Sequence, residues 1–350
     1  MAGGQVVIVG GGVTGLLTAV DCALAGHRVT LLDRGPIPNP ESTSYDQHRA
    51  FRAFTPGDPI ATWRMVAAHR RWVELETLLG AEFYRRVGVV SAMPRARASV
   101  VTSLAAATGI AVEPVEPEKL PHLGLPADSV GVLEVDAGVL LADRVLLAAT
   151  RWLDGHPAVT LRPGVTVTGV DVDTGRVCLA DGEALGADLV LVAAGPWAGA
   201  LVDLPVVLHR QTMVYLRPPD ALARWWENAP ATGGLGDQGR AWVVPSGEDT
   251  LVKISSDTVC REVGSLDCAA ENQAPWVEKL LAEAILADIG SYTVVAAKPC
   301  HYVTDAETGG ALLARVGPAV WSRAACGGTG FSSAPLVASQ IVDAMMEDAA

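Results

Sequence analysis

The first pattern along the chain is an apolar, β-branched run, Val6-Val-Ile-Val9, that stops at Gly10-Gly-Gly12-Val-Thr-Gly15. An amphipathic run follows as far as Gly26, and a second apolar segment, Val29 to Leu32, stops at Asp33. Branched residues favour pleated backbone and glycines interrupt it, so this reads as strand, turn, helix and strand. Apolar positions then recur at helical spacing in residues 61–80, at Trp63, Val66, Trp72, Leu75 and Leu79, and end at Gly80. Tyr84 to Met93 predicts a strand pair, while Ser99 to Thr108 and Leu140 to Trp152 predict helices. Val165 to Val172 and Arg176 to Leu179 predict a hairpin. Ala187 to Ala194 predicts a further buried strand, closed by Gly195-Pro-Trp197.

From Val206 the texture changes to alternating strands, among them Gln211 to Leu216, Ala241 to Val244 and Thr250 to Ile254. A helix from Trp276 to Ile289 and a strand from Tyr292 to Ala297 follow. The pattern predicts an antiparallel sheet covering a site. The end of the chain, Gly327-Gly328-Thr329-Gly330-Phe331-Ser332-Ser333, is a second glycine-rich turn opening a helix from Leu336 to Met346. Its N–H groups suit a polar ring edge or an anion. Arg34 to Pro40 and Pro114 to Pro126 are too rich in proline for helix or inner strand. Glu41 to Arg52 begins with capping residues and turns basic. If it is helical, Arg49 and Arg52 share a face; two surface arginines beside acids is the plain alternative.

The opening unit carries chemistry. Gly10 permits the tight turn, Gly12 lets backbone approach a pyrophosphate, and Gly15 lets helix and strand pack closely. Asp33, 18 residues beyond Gly15, is placed to accept hydrogen bonds from ribose hydroxyls and disfavours a 2′-phosphate. An adenine dinucleotide follows, with NAD and FAD both open at this point. An apolar strand that stops at Gly195 also suggests backbone lying close to a ligand.

The chain has 350 residues, half of them apolar, and a net charge of −13. That length allows two domains. The charge repels nucleic acid and anionic membrane, so neither is an expected partner. No apolar run reaches 18 residues and no basic start precedes a cleavage site, so a cytoplasmic protein is expected. The cysteines (22, 178, 260, 268, 300 and 326) show no metal spacing and read as free thiols.

Taken together, these pieces resemble the flavin-dependent amine oxidases of the D-amino acid oxidase superfamily, in the branch of the monomeric sarcosine and N-methyltryptophan oxidases. The resemblance rests on the fingerprint with Asp33, on Ser44 to Arg52, on Glu134-x-Asp136-Ala-Gly138 and on Val190 to Trp197. It continues through Trp242 to Lys253, Lys298-Pro-Cys300-His-Tyr302-Val-Thr304-Asp305 and Gly327 to Pro335. It implies FAD rather than NAD. It also implies an α/β fold, with a Rossmann-type FAD-binding domain (1–85, 137–200 and 310–350) and a discontinuous antiparallel-sheet substrate domain (86–136 and 201–309). Val13, Thr14, Arg34, Ser44, Val167, Gly195, Trp197 and Gly328 to Ser332 are the further cofactor positions it implies. A monomer is expected on the same ground.

The resemblance implies that Cys300 carries FAD through a thioether, a reaction that needs a thiolate in an electropositive setting. Lys298 and His301 lie beside it in sequence; a buried structural cysteine is the alternative. Lys253 matches a lysine above the flavin ring, where a fixed cation stabilises charge as oxygen is reduced; an outward-facing lysine is the alternative. Arg49 matches an arginine at the flavin, and Arg52 one that grips substrate carboxylate.

Departures from the branch alter the expected substrate. Ser332 stands where a lysine also grips the carboxylate, and Asp257 where a histidine stands. Trp242 replaces a tyrosine, and Ser44-Tyr45 a histidine pair. A substrate larger than sarcosine, cyclic or aromatic, is expected, with Trp242 as a wall and Asp257 facing the nitrogen or taking its proton. Asp257 also reads as a solvated loop acid. The expected activity is oxidation of a secondary or cyclic amine or amino acid to an imine, with O2 reduced to H2O2. A dehydrogenase using another acceptor, or a flavin-binding subunit without turnover, is the alternative.

Overall fold

The computed structural model describes residues 3–266 and 272–347; Cys268 lies outside them. The opening strand Gln5–Val9 is buried at four of its five positions and pairs in parallel with Leu189–Val192 on one side and Arg28–Asp33 on the other. Helix α1 (Val13–Leu24) connects Gln5–Val9 to Arg28–Asp33 and buries nine of its residues. Val159–Pro163 and Val320–Cys326 extend the parallel sheet, and Ala311–Arg315 closes one edge antiparallel, giving six strands. Near-continuous apolar strands such as Leu189–Val192 are what a sheet covered on both faces requires.

Helix α2 (Pro59–Leu79) shows why the chain turns where it does. Asp58 caps it by accepting from Ala61 N–H at 2.8 Å, Pro59 occupies its first turn, and Gly80 ends it with φ 61. Helix α3 (Arg95–Thr108) lies over the second sheet. Helix α4 (Ala142–Asp154) packs against α1, and α7 (Ala334–Glu347) does the same from the other end of the chain. These helices and one face of the parallel sheet form the larger core.

The second large sheet has nine strands and draws them from 89–94, 112–115, 129–134 and 206–305. Its spine is the strand Val206–Arg217, flanked by Thr293–Asp305 along its whole length and by Val252–Ser256 and Cys260–Glu262 on the other side. Helices α5 (Asp220–Asn228) and α6 (Ala274–Leu281) cover it, with Trp226 fully buried between.

Several expectations are corrected. Arg49 lies in a strand, Arg49–Phe51, which pairs with Gly138–Leu140, so no helix forms there. Pairing with a distant strand overrides the local capping signal. Arg52 lies one residue beyond that strand, and the two separate: the Arg52 guanidinium donates to Ser91 and that of Arg49 to Asp46. Tyr84–Arg85 and Val89–Pro94 belong to different sheets rather than to one pair. The hairpin is present as Val167–Asp171 and Arg176–Leu179, with Ala184–Gly186 added as a third strand. The helix expected to run to Ile289 ends at Leu281, and the last long strand continues through Pro299 to Asp305.

No helix among the described residues is long and apolar enough to cross a membrane.

Candidate active site

A cavity of about 660 Å³ runs from the carboxyl ends of the parallel strands to the face of the second sheet. At one end its wall is Gly10, Gly12, Val13, Thr14, Asp33 and Arg34. Gly10 has φ +113, and a Cβ there would meet the carbonyl of Ala193 at 2.4 Å. The first-turn N–H groups of α1 have no intrahelical acceptor; that of Val13 donates to Ser44 Oγ at 3.1 Å. Asp33 accepts from Gly11 N–H and Gly35 N–H, both at 2.8 Å, and from Asn39 Nδ2 at 2.9 Å. Its carboxylate therefore ties the turn to the loop that follows. Arg34 lies over the ring of Trp197, 4.1 Å from its centre.

The middle of the cavity is bounded by Ser44, Arg49, Val167, Gly195 and Trp197, and by the loop residues Gly328, Gly330, Phe331 and Ser332. Phe331 stacks on Trp72, and Trp72 Nε1 donates to the carbonyl of Ser332 at 3.1 Å, which fixes that loop on α2. Gly15 and Thr329 stand behind this wall. Gly15 packs on the carbonyl of Gly10, and Thr329 Oγ1 donates to the carbonyl of Cys326 at 3.1 Å.

The far end brings together Trp242, Lys253, Asp257 and Cys300 from three strands and a short turn. Lys253 is 1% exposed. Its Nζ donates to Asp46 Oδ2 at 2.9 Å and to the carbonyl of His48. Asp46 also accepts from Arg49 and, at 2.7 Å, from Tyr215 Oη. Asp257 is exposed at the rim.

Sequence reasoning missed most of this network. Asp46 and His48 lie inside the stretch Ser44 to Arg52 but drew no role there, and Tyr215 carries no motif; the one signal was an acid standing three residues before Arg49. The segment holding Asp46 and His48 is a hub. Thr43 Oγ1 donates to the carbonyl of His301 at 2.7 Å, Lys298 Nζ to that of Tyr45 at 2.7 Å, and Leu251 N–H to Gln47 Oε1 at 2.7 Å.

Burial sets the electrostatics. It pushes the Lys253 pKa well below the ordinary lysine value, and Arg49 adds to that; the Asp46 carboxylate stands against the amine at 2.9 Å. Burial, then the charge of Lys253, holds His48 neutral. Burial raises the Cys300 thiol, while Arg49, Lys253 and Lys298 pull it down. His301, expected beside that thiol, accepts from Arg210 Nε at 3.0 Å instead. The positive charges acting on the thiol are those of Arg49, Lys253 and Lys298.

Arg52 does not line the cavity. Its guanidinium donates to Ser91 Oγ at 2.9 Å and borders a separate cleft of about 20 Å³.

The cavity suits FAD on two observations. Gly10 packs so closely on Ala193 that no side chain fits there, and Gly10 and Gly12 line the cavity as the bare backbone that a pyrophosphate would meet. Ser42 Oγ and Arg323 Nε are buried without a partner among the described residues, and both residues line the cavity. Polar atoms so placed match a long, polar ligand.

Comparison with known proteins agrees. Residues 5–344 match the family described as DAO, FAD dependent oxidoreductase. Peroxisomal sarcosine oxidases of Mus musculus and Homo sapiens are 25% and 27% identical over 248 residues, covering 65% of this chain. The match spans 59% of the length of each of these relatives. The bifunctional protein ThiO/ThiG of Nostoc is 28% identical over 62% of this chain and 35% of its own length. Among solved structures, NikD, an unusual amino acid oxidase, superposes with TM-score 0.80 at 19% identity, covering 99% of this chain and 95% of its own. A fructosyl peptide oxidase from Aspergillus nidulans does so with TM-score 0.78 at 19% identity, over 99% and 91%. With the cavity, the glycine-lined turn and a family match over nearly its whole length, this chain belongs to the DAO family of FAD-dependent oxidoreductases.

Proposed function

We propose that this protein is an FAD-dependent oxidase of a secondary or cyclic amine or amino acid larger than sarcosine. The observation that carries the reading is Lys253, a buried cation on the same cavity wall as Cys300 and Trp242. An apolar strand holds a buried ammonium only at a cost, so a charge there answers to a function or a partner. The relatives named above as sarcosine, amino acid and fructosyl peptide oxidases support the class of substrate.

Bound FAD would take a hydride equivalent from the carbon beside the substrate nitrogen and pass electrons to O2, leaving an imine and H2O2. The chain's own groups divide the remaining work. Gly10 to Thr14 and the start of α1 hold phosphates, and Asp33 fixes the turn that presents them. Gly328, Gly330, Phe331 and Ser332 line the cavity where they would hold the ring end of the cofactor. Arg49 and Lys253 supply a fixed positive field where negative charge develops. Cys300 tethers the cofactor, Trp242 forms a flat wall for the substrate, and Asp257 at the rim attracts the amine and accepts its proton. Ser332, with its short side chain, leaves room for a bulkier substrate.

Anaerobic mixing with a panel of secondary and cyclic amino acids tests this. Bleaching of the flavin, followed by peroxide release on admission of air, is expected. Bleaching without peroxide means another electron acceptor, and no bleaching by any amine removes the catalytic reading.

A further inference from the structure

The carboxylate of Asp46 lies where three groups meet, two of them on residues that line the cavity. Oδ2 accepts from Lys253 Nζ and from Arg49, and Oδ1 from Tyr215 Oη. Asp46 is itself buried, as is Lys253. Tyr215 stands directly across the strand pair from Lys253, so one carboxylate ties together two neighbouring strands and the segment that carries Arg49. An ammonium has three N–H groups. Two of those on Lys253 are taken by Asp46 and by the carbonyl of His48, which leaves the third for the cavity that Lys253 lines.

The charges around Lys253 show why such a partner matters. The segment 46–49 presents Asp46, neutral His48 and Arg49. The strand Val206–Arg217 presents Tyr215, whose hydroxyl burial pushes up to about 12. Thr293–Asp305 presents Lys298 and the Cys300 thiol, and Ala241–Val244 presents the ring of Trp242 at 6.0 Å. Arg49 and Lys298 both repel a charge on Lys253, and burial disfavours it further. Asp46 is the carboxylate that answers them.

We infer that Asp46 is a positioning residue that holds Lys253 as an ammonium and aims its remaining N–H into the cavity. This rests on the reading in which Lys253 acts on the bound flavin. The cation is then a built pair, with one face spent on Asp46 and one on the cavity. A buried pair of this kind is sensitive to loss of one member, because the other is left uncompensated.

The test is the midpoint potential of the bound flavin, measured by dye equilibration from about pH 6 to 11, a range spanning the ordinary histidine and lysine pKa values. Neither amine nor oxygen is needed, so absence of a substrate would overturn the proposed activity and leave this measurement intact. The wild-type potential is expected to show a break where Lys253 loses its proton. In Asp46→Asn that break moves at least one pH unit lower, and Asp46→Glu brings it back towards wild type. Above the break, loss of the cation lowers the potential by about 30 mV for each tenfold weakening of reduced-flavin stabilisation. A merely structural Asp46 would lower the melting temperature and leave the break in place, and that result overturns the inference. Should Asp46→Asn not fold, Lys253→Met/Asp46→Asn decides. The double variant is expected to fold, since it no longer buries the ammonium that Asp46→Asn alone leaves without its carboxylate. A double variant that also fails to fold overturns the pairing.

Discussion

Gly15 packs directly on the carbonyl of Gly10: a Cβ at residue 15 would come within 1.9 Å of that oxygen. The contact joins the first turn of α1 to the end of the central strand and sets how close the helix N-terminus lies to the cavity. Neither backbone segment can retreat without moving one of the elements that make the nucleotide site. Gly15→Ala is therefore expected to give protein that is insoluble or carries no flavin. Flavin absorbance per mole of purified protein checks this, and a soluble, fully yellow variant would contradict it.

Lys253→Met removes the buried ammonium while keeping a side chain of similar length. Reoxidation of the flavin by oxygen is expected to slow by about 10²–10³-fold, the usual cost of one preorganised electrostatic donor. Reduction by the amine should change far less. Stopped-flow traces of the two half-reactions separate the effects, and equal slowing of both would sink the role given to Lys253.

If Cys300 carries the cofactor, acid-precipitated wild-type protein stays yellow and Cys300→Ser releases its flavin to the supernatant. Attachment needs the thiolate. Burial raises the Cys300 pKa above the ordinary thiol value, so less thiolate is present at a given pH. The linkage should therefore form faster as pH rises, with the increase continuing above the range where a free thiol has already ionised. Time courses of covalent incorporation into FAD-reconstituted protein test that sign; a rate that is flat with pH would point to a different nucleophile.

Arg52 gives a contrast with Arg49. Its guanidinium is held by Ser91 and faces the small side cleft, while Arg49 lines the cavity beside Asp46. Arg52→Ala is expected to leave KM for the amine near the wild-type value. Arg49→Ala, which strips a cation from the cavity wall and a partner from Asp46, is expected to lose most activity. A large rise in KM on changing Arg52 alone would mean that its side chain swings into the cavity when substrate binds.

Some of this site could be read from the chain because its signals are local. Gly10, Gly12 and Gly15 lie within six residues and answer to one turn, and Asp33 follows at the end of the next strand. Alternating and continuous apolar runs likewise marked Ala241–Val244 and Leu189–Val192, because side-chain period follows directly from pleated geometry. The conformation of the segment around Arg49 stayed open for the opposite reason. Its conformation is decided by a ladder to Gly138–Leu140, some ninety residues away, which no window around Arg49 contains.

By itself, then, the sequence determined that a dinucleotide turn opens the chain and that alternating strands, one of them carrying Lys253, make a second region. Only the tertiary structure decided that these strands face the turn across one cavity, that Arg52 points elsewhere, and that Asp46 stands against Lys253. The physical reason is range. Turn chemistry and side-chain alternation act over a few residues, whereas a buried ion pair between positions 207 residues apart exists only once the sheets have closed on each other.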